Sequence, residues 1–157
     1  MNQQHSVKPL PAAELSGFMS AVEKRYAQQK TELGSVPADE ARRQARAQVA
    51  ALFPDGRLQT GHVVLQACDQ NGQELGFVWI GPHRAEPGLA FIYDLVVDER
   101  ARGQGLGRQL LDEAETCARD NGYTAVSLHV FGGNATAIGL YESKGYTVTD
   151  LLMRRPL

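Results

Sequence analysis

Three glycines stand close together in the segment Arg102-Gly-Gln-Gly-Leu-Gly-Arg108. A glycine has no Cβ atom, so a bound group can approach the backbone of such a segment closely. The segment follows an apolar run typical of a strand and precedes a helical pattern. The free amides and the positive dipole end of a helix start attract anions, and the two flanking arginines add full charges. This spacing therefore predicts a binding site for a phosphate-bearing ligand.

Two common glycine-rich phosphate loops fit this segment poorly. The loop of nucleotide hydrolases ends in Gly-Lys-Ser/Thr, whereas Arg108 and Gln109 follow the last glycine here. A dinucleotide fingerprint requires a glycine at position 108 and an acidic residue about 20 positions later. The next strand-like run ends instead in His129 and Val130. Both of these loop types are disfavoured.

Two motifs together resemble the GNAT superfamily of acetyl-coenzyme A-dependent N-acetyltransferases. The segment 102–107 matches the pattern Arg/Gln-x-x-Gly-x-Gly/Ala of that family. The second motif is Asn134-x-x-Ala-x-x-x-Tyr141, followed by Gly145-Tyr146. The two motifs have the order and separation found in the family and cover residues 89–146. The resemblance implies acetyl-coenzyme A (acetyl-CoA) as cosubstrate and a mixed α/β sheet whose central strands splay apart.

The resemblance also implies which residues bind the coenzyme. Backbone groups of the strand before the loop would pair with the pantetheine arm, and the loop amides would hold the pyrophosphate. An amide of Val96 or Val97 would polarise the thioester carbonyl. The coenzyme-binding residues expected from the family are Leu95, Val96, Val97, Arg102, Gly103, Gln104, Gly105, Leu106, Gly107, Arg108, Asn134 and Tyr141.

Tyr141 is the candidate general acid. It lies seven residues, about two helical turns, after Asn134, so the two side chains share one helix face. A phenol can donate its proton to a departing thiolate. The alternative for Tyr141 is a buried aromatic that packs the helix on the sheet. Asn134 suits the position of helix N-cap, which alone explains its presence.

Two residues compete for the role of base, and a water chain is a third route for the proton. His129 stands five residues before Asn134, where ribosomal-protein N-acetyltransferases of the superfamily carry a glutamate. A neutral imidazole suits that role at neutral pH. Asp94 alternates with Ile92 and Val96 on one face of the predicted central strand, where a carboxylate needs a partner or a cationic substrate. Each has a structural alternative. The other histidines, at positions 5, 62 and 83, are predicted to lie on the surface.

The hydrophobic pattern predicts an α/β fold, a mixed sheet flanked by helices. Asn71-Gly72 indicates a hairpin, and Gly34 is the predicted end of the first helix. The helices are predicted at residues 12–33, 37–53, 105–121 and 134–144. The strands are predicted at 62–67, 75–80, 89–97 and 125–131, the third of them central and covered on both faces. The first ten residues are predicted as loop or edge strand, and residues 146–153 as one or two closing strands.

Length, composition, net charge and cysteine content limit the number of domains, the partners and the cellular location that the sequence predicts. The chain has 157 residues, a net charge of −2 and 43% hydrophobic residues, which predicts one domain over residues 1–157 with an acceptor-side helical region at 1–56. This charge favours neither nucleic acid nor membranes as partners. Arg42, Arg43 and Arg46 are interpreted as a solvated helix face rather than a nucleic-acid patch. Cys68 and Cys117 form no disulfide framework or metal spacing, so a reducing cytoplasm and no metal are expected.

The resulting functional hypothesis is acetyl transfer from acetyl-CoA to a primary amine by direct attack in a ternary complex. The alternative is a non-catalytic coenzyme A-binding sensor or regulatory module, which would have the same glycine loop. The partner is an amine-bearing acceptor, a small molecule or a protein amine, and a homodimer is the expected assembly if the chain oligomerises. The identity of the acceptor and the length of the acyl group stay open.

Overall fold

A five-stranded sheet lies between four helices in the computed structural model, which describes residues 5–32 and 36–157. Its strands follow the order β1-β2-β3-β4-β5, antiparallel except for the parallel pair β4 and β5. This arrangement confirms the predicted mixed α/β sheet. The strands are β1 (Ser6–Pro9), β2 (Val63–Cys68), β3 (Glu74–Pro82), β4 (Leu89–Val97) and β5 (Ala125–Leu128). The helices are α1 (Leu15–Glu32), α2 (Ala38–Leu52), α3 (Leu106–Asp120) and α4 (Ala135–Ser143).

The element boundaries follow local sequence signals. A single 3₁₀ turn, Ala12–Glu14, precedes α1, so the α-helix begins three residues later than predicted. The predicted helix end at Gly34 lies outside the described residues. In the β2–β3 turn, the Asp69 side chain accepts hydrogen bonds from the amides of Asn71 and Gln73 at 2.8 and 2.9 Å. Gly72 adopts the positive φ of +80° that this turn requires. The predicted hairpin is confirmed.

Two hydrophobic cores lie on opposite faces of the sheet. On one face, α3 packs on the strands through Leu106, Leu110 and Leu111, and we call this the α3-side core. On the other face, α1 and α2 cover Phe77 and Trp79, which form the α1/α2-side core with Phe18, Val49 and Leu52. Strand β3 supplies side chains to both cores and is buried from Leu75 to Gly81.

The sequence prediction assigned full coverage to β4, and this was wrong. In β4 only Ala90 and Ile92 are buried, while residues 93–97 are half-buried. The apolar residues of that half contact the two cores but are not fully covered, because β4 borders an opening in the sheet beyond Ile92. The strand covered on both faces is β3, one position along the sheet.

Two predicted strand segments also differ from the structure. β5 ends at Leu128 instead of residue 131, because its last partner on β4 is Ile92. Residues 146–153 form no strand: Val148, Leu151 and Leu152 are 65%, 80% and 94% exposed. Strand propensity expresses the fit of a side chain to a half-buried pleated surface. In the described part of the chain, this segment pairs with no neighbouring strand.

Candidate active site

The sheet opens between β4 and β5. Their pairing runs from Leu89–Ala125 to Ile92–Leu128 and then stops, although β4 continues for five more residues. At the same place, the pairing of β4 with β3 skips one residue: Trp79 faces Asp94, and Ile80 faces Ile92. The extra residue, Tyr93, is a β-bulge, which bends its strand and increases the local twist. The bulge and the opening therefore coincide, and they leave one edge of β4 from Tyr93 onward without a partner strand.

The bulge changes which residues of β4 share a face. Ile92 belongs to the α3-side core, whereas Asp94 lies beside Trp79 and pairs with a residue of α1. Val96 packs on the α1/α2-side core, on the same side as Asp94. The predicted grouping of Asp94 with Ile92 was therefore wrong, while its grouping with Val96 is confirmed. Simple alternation fails here because the extra residue of the bulge, Tyr93, turns Asp94 to the opposite face of the strand from Ile92.

A short capped turn connects β4 to the glycine loop. Asp98 precedes the 3₁₀ turn Glu99–Ala101 and accepts hydrogen bonds from the amide and the guanidinium of Arg100, each at 2.9 Å. These hydrogen bonds lower the pKa of the Asp98 carboxyl to about 2. Arg102 follows the turn and donates back to the carbonyl of Val97 at 3.3 Å. The start of the glycine loop is thus fixed against the end of β4.

The glycine loop, residues 103–108, presents a row of unused amides. Gly103 and Gly105 have φ values of +72° and +83°, which only glycine adopts easily. A Cβ atom built on either one would meet nothing within 4 Å. Among the described residues, none of the amides from Gly103 to Arg108 donates a hydrogen bond of normal geometry, whereas Gln109 already bonds to the Gly105 carbonyl. The loop is therefore an open, donor-rich surface at the start of α3.

The third glycine has a different role from the first two. A Cβ atom on Gly107 would lie 3.3 Å from Leu140 Cδ2 and 3.6 Å from Val97 Cγ2. Gly107 thus lets α4 approach the first turn of α3 and the end of β4. The Arg108 guanidinium donates to Ser143 Oγ at 2.6 Å. Lys144 also bridges to α3, through Asp112 and through Glu115 at 3.0 Å.

Helix α4 carries the candidate acid. Asn134 caps this helix by accepting a hydrogen bond from the Ala137 amide at 3.1 Å, which confirms the predicted cap. Tyr141 is half-buried, and its ring centroid lies 5.7 Å from that of Tyr146. Burial, and next the negative charge of Asp94, raise the pKa of the Tyr141 phenol above its usual value. Tyr141 packs against the α3-side core, as the alternative of a buried packing aromatic predicted, and the charge of Asp94 on β4 still reaches its phenol.

Asp94 is ion-paired with a residue of α1. Arg25 Nη2 lies 2.7 Å from Asp94 Oδ2, and the side chains are 26% and 17% exposed. The guanidinium carbon also lies 4.9 Å from the centre of the Phe77 ring, a cation–π contact. Beside the pair, burial and the charge of Asp94 raise the pKa of Tyr26 to about 12. The sequence prediction named Asp94 but missed Arg25, which is 69 positions away and shows no local signal.

His129 lies at the end of β5, one residue beyond the last strand pair with β4. Its side chain is exposed, and its ring meets Phe131 edge-on with the centroids 5.2 Å apart. Within the described residues, the imidazole has no hydrogen bond or ion pair. The structure gives no direct contact between His129 and Asp94 or Tyr141, the other two predicted catalytic residues.

The other histidines are not all on the surface, and the prediction for His62 was wrong. His62 Nδ1 accepts a hydrogen bond from Trp79 Nε1 at 3.1 Å, and its ring lies against the backbone of Gly81. Burial, and next the charge of Arg84, lower the pKa of His62. His62 therefore serves the aromatic packing around Trp79. A single histidine at a strand start gives no sequence signal for such a role.

The arginines of α2 are paired with carboxylates. Arg42 bonds to Asp39, Arg43 to Glu40 and Arg46 to Glu23. These exposed pairs match the interpretation of this surface as a solvated helix face. Across residues 5–32 and 36–157, no three His, Cys, Asp or Glu side chains are grouped as a metal site. In the same residues, no helix has the length and apolar character needed to cross a membrane.

Comparisons with known proteins give a family match and several similar proteins. The model of the Acetyltransferase (GNAT) family matches residues 19–146. A protein of Bacillus subtilis (strain 168) that is named the uncharacterized N-acetyltransferase YycN is 33% identical over 151 residues, 95% of this chain and 96% of the relative. The crystal structure of YycN aligns with a TM-score of 0.86 at 30% identity, over 98% of this chain and 99% of that one.

Two further proteins are similar to this chain. The L-methionine sulfoximine/L-methionine sulfone acetyltransferase of Pseudomonas paraeruginosa is 28% identical over 146 residues, 92% of this chain and 81% of the relative. A structure of AAC(6')-Iy in complex with the bisubstrate analogue CoA-S-monomethyl-acetylneamine shares the fold, with a TM-score of 0.63 at 12% identity. The alignment covers 98% of each chain.

Proposed function

The chain belongs to the GNAT family of acetyltransferases, and on that premise we propose that it transfers acetyl from acetyl-CoA to a primary amine by direct attack in a ternary complex. The observation that carries this proposal is the row of free amides in residues 103–108, next to an opening in the sheet. The amides would bind one reactant, and the opening would admit the other. Holding both reactants in one site removes much of the entropic barrier to their reaction.

The glycine loop fits a coenzyme diphosphate. Several unused donors converge where no Cβ atom obstructs them, and Arg102 and Arg108 stand at the two ends of the loop. We assign diphosphate binding to the loop amides, and binding of the pantetheine arm to the unpaired edge of β4 at Leu95, Val96 and Val97. Acetyl-CoA supplies the activated thioester when bound. An amide of Val96 or Val97 would donate to the thioester oxygen as negative charge develops there.

Tyr141 is the proposed general acid. A leaving thiolate needs a proton, and a phenol with a raised pKa holds its proton throughout the neutral range. The position of α4 supports this role, since Gly107 and the Arg108–Ser143 contact hold the helix close to the loop. Tyr141 would donate its proton to the sulfur as the thiolate leaves.

For the base we propose His129 in preference to Asp94. One oxygen of Asp94 already accepts from Arg25, whereas the imidazole of His129 has no partner among the described residues. His129 also stands where β4 and β5 separate, at the mouth of the opening. Replacement His129→Ala should lower turnover about 100-fold or more at neutral pH. Unchanged turnover in that variant would instead point to a water chain.

The acceptor is proposed to be a small-molecule amine. The Pseudomonas relative is an acetyltransferase of L-methionine sulfoximine and L-methionine sulfone, and the alignment covers most of both chains. The free thiols of Cys68 and Cys117 are compatible with a reducing cytoplasm, which we propose as the location. The acyl group is proposed to be acetyl.

Two measurements test the proposed function. Calorimetry with coenzyme A should give saturable binding, and a panel of primary amines with acetyl-CoA should release free thiol in an amine-dependent way. Acetyl-CoA without amine is the control. Binding without amine-dependent thiol release would favour the sensor module. Absence of binding at millimolar coenzyme A would remove the basis of both.

A further inference from the structure

Three side chains lie together beside the opening, and we call them the acceptor cluster: Arg25, Tyr26 and Asp94. Arg25 and Asp94 form the ion pair of 2.7 Å between α1 and β4. Tyr26 follows Arg25 on α1, and burial together with the charge of Asp94 raises the pKa of its phenol. Helix α1 and strand β4 thus contribute to one charged surface on the α1/α2 side of β4.

The ion pair keeps binding capacity on both of its members. Asp94 uses Oδ2 for Arg25, and Oδ1 has no hydrogen bond within the described residues. Arg25 uses Nη2 for Asp94, and its Nε atom is buried with no partner there. A guanidinium has five N–H donors in a planar fork, which suits a second carboxylate. The contact with Phe77 and the hydrogen bond to Asp94 hold this fork in one orientation.

Each member of the ion pair can take a second partner of opposite charge. A substrate with only an amine would pair with Asp94 and leave the Arg25 guanidinium without a second anion. A substrate with an amine and a carboxylate would offer each of the two charges an opposite partner. The two side chains are only 26% and 17% exposed, and such partly buried charges favour pairing, because water screens them less than it screens exposed groups.

We propose that the acceptor is an α-amino acid or a close analogue, with a free carboxylate next to the amine that is acetylated. This inference rests on the proposed function and names its substrate class. Arg25 binds the substrate carboxylate, and Asp94 Oδ1 binds the ammonium group, which then loses one proton to His129, the proposed base. The amine nitrogen forms the bond to the acetyl carbon and loses its second proton, the carbon–sulfur bond breaks, and the sulfur takes a proton from Tyr141, the proposed acid.

The test compares L-leucine with L-leucinamide, which lacks only the carboxylate charge. At neutral pH a larger fraction of leucinamide is present as the free amine, so a preference for leucine cannot come from a greater supply of deprotonated amine. We expect kcat/KM to favour leucine by about 10- to 150-fold, the usual range for hydrogen bonds to a charged group. Arg25→Gln should bring this ratio close to one, and Arg25→Lys should restore part of it. Arg57→Gln, an exposed arginine outside the cluster, is the matched control.

A binding measurement separates this inference from the proposed function. Calorimetry of leucine and leucinamide with the coenzyme A-saturated protein needs no turnover, and leucine should bind more tightly by a similar factor. Coenzyme A affinity should be equal in the wild type and Arg25→Gln, which also shows that the variant is folded. Acetylation of leucinamide as efficiently as leucine would overturn the amino-acid assignment and leave the acetyltransferase standing. Loss of all acetylation, with selective leucine binding retained, would overturn only the acetyl transfer.

Discussion

Tyr141 owes its chemical character to its surroundings. The residue is half-buried on a nine-residue helix, and burial is the main cause of its raised pKa. Asp94 adds to the effect, because a nearby negative charge disfavours a phenolate. A group whose pKa is raised remains protonated below the new value. An acid role for Tyr141 should therefore persist well into the alkaline range.

Replacement Tyr141→Phe should lower kcat by about 100- to 10,000-fold, because the phenol proton is lost while the ring is kept. The affinity for coenzyme A should change little. Steady-state kinetics with thiol detection and calorimetry measure the two effects. Tyr123→Phe removes a hydroxyl from another half-buried tyrosine and should retain turnover. In the wild type, any alkaline loss of kcat due to this group should have its midpoint above pH 10. Equal losses of turnover and affinity would contradict the acid role.

At the level of single residues, the sequence predicted what depends on local spacing. The Asn134 cap follows from a side chain and an amide three positions apart, and the structure contains it. The pairing of Asp94 with Arg25 joins residues 69 positions apart, so no local pattern could indicate it. The hydrogen bond from Trp79 to His62 likewise depends on how two strands align. The sequence identified these residues but not their partners.

At the scale of elements, the connection from β4 to α3 forms the part of the proposed site that would bind the coenzyme. Its glycines divide into two kinds: Gly103 and Gly105 allow a positive φ, and Gly107 allows helix α4 to pack closely. Gly103 and Gly105 face open space, so a larger residue at either position would not clash with another part of the protein. An added methyl group there would project into the volume assigned to the coenzyme.

Gly105→Ala and Gly72→Ala form a matched pair that tests this assignment. Both glycines have φ values near +80°, and a Cβ on either meets nothing within 4 Å. Each alanine should therefore destabilise the fold by about 1–2 kcal/mol, the usual cost of a left-handed backbone. Only Gly105→Ala should also weaken coenzyme A binding. Denaturation and calorimetry measure the two effects, and equal affinities in both variants would exclude diphosphate binding at this loop.

The elements were largely predictable, and the exceptions share one cause. Periodic apolar spacing located α1, α2 and α3, because side-chain burial on one face leaves a direct trace in sequence. The Asn134 cap located α4, and Asn71-Gly72 located the hairpin. The end of β5 and the lack of a strand at residues 146–153 depend on whether a neighbouring strand is present. Pairing across a sheet is not encoded in the segment itself. Local propensity alone therefore overestimated the strand content near the carboxyl end.

For the whole molecule, β3 connects the two cores. Its side chains alternate between the α3-side core and the α1/α2-side core, so each core packs on the same backbone. The ion pair between Arg25 and Asp94 adds a link from α1 to β4. On this basis we propose that residues 1–157 fold as one cooperative domain, with the helical amino-terminal region included.

Leu110→Ala and Leu52→Ala test cooperativity with the same substitution on opposite faces. Both leucines are almost fully buried, one in each core. Each replacement should lower the free energy of unfolding by about 2–5 kcal/mol and shift one common transition. Fluorescence of Trp79 and far-ultraviolet circular dichroism should report the same midpoint. An earlier, separate transition in Leu52→Ala would show that the amino-terminal helices unfold independently.

The bulge at Tyr93 also decides which face of β4 carries a charge. Without the bulge, the same nine residues would alternate plainly, and Asp94 would share the face of Ile92. Asp94 would then face the leucines of α3, which offer no cation, and Val96 would leave the side that it now covers. Burial of an unpaired carboxylate is strongly unfavourable. The irregular register between β3 and β4 therefore suits the sequence of β4 better than a regular one would.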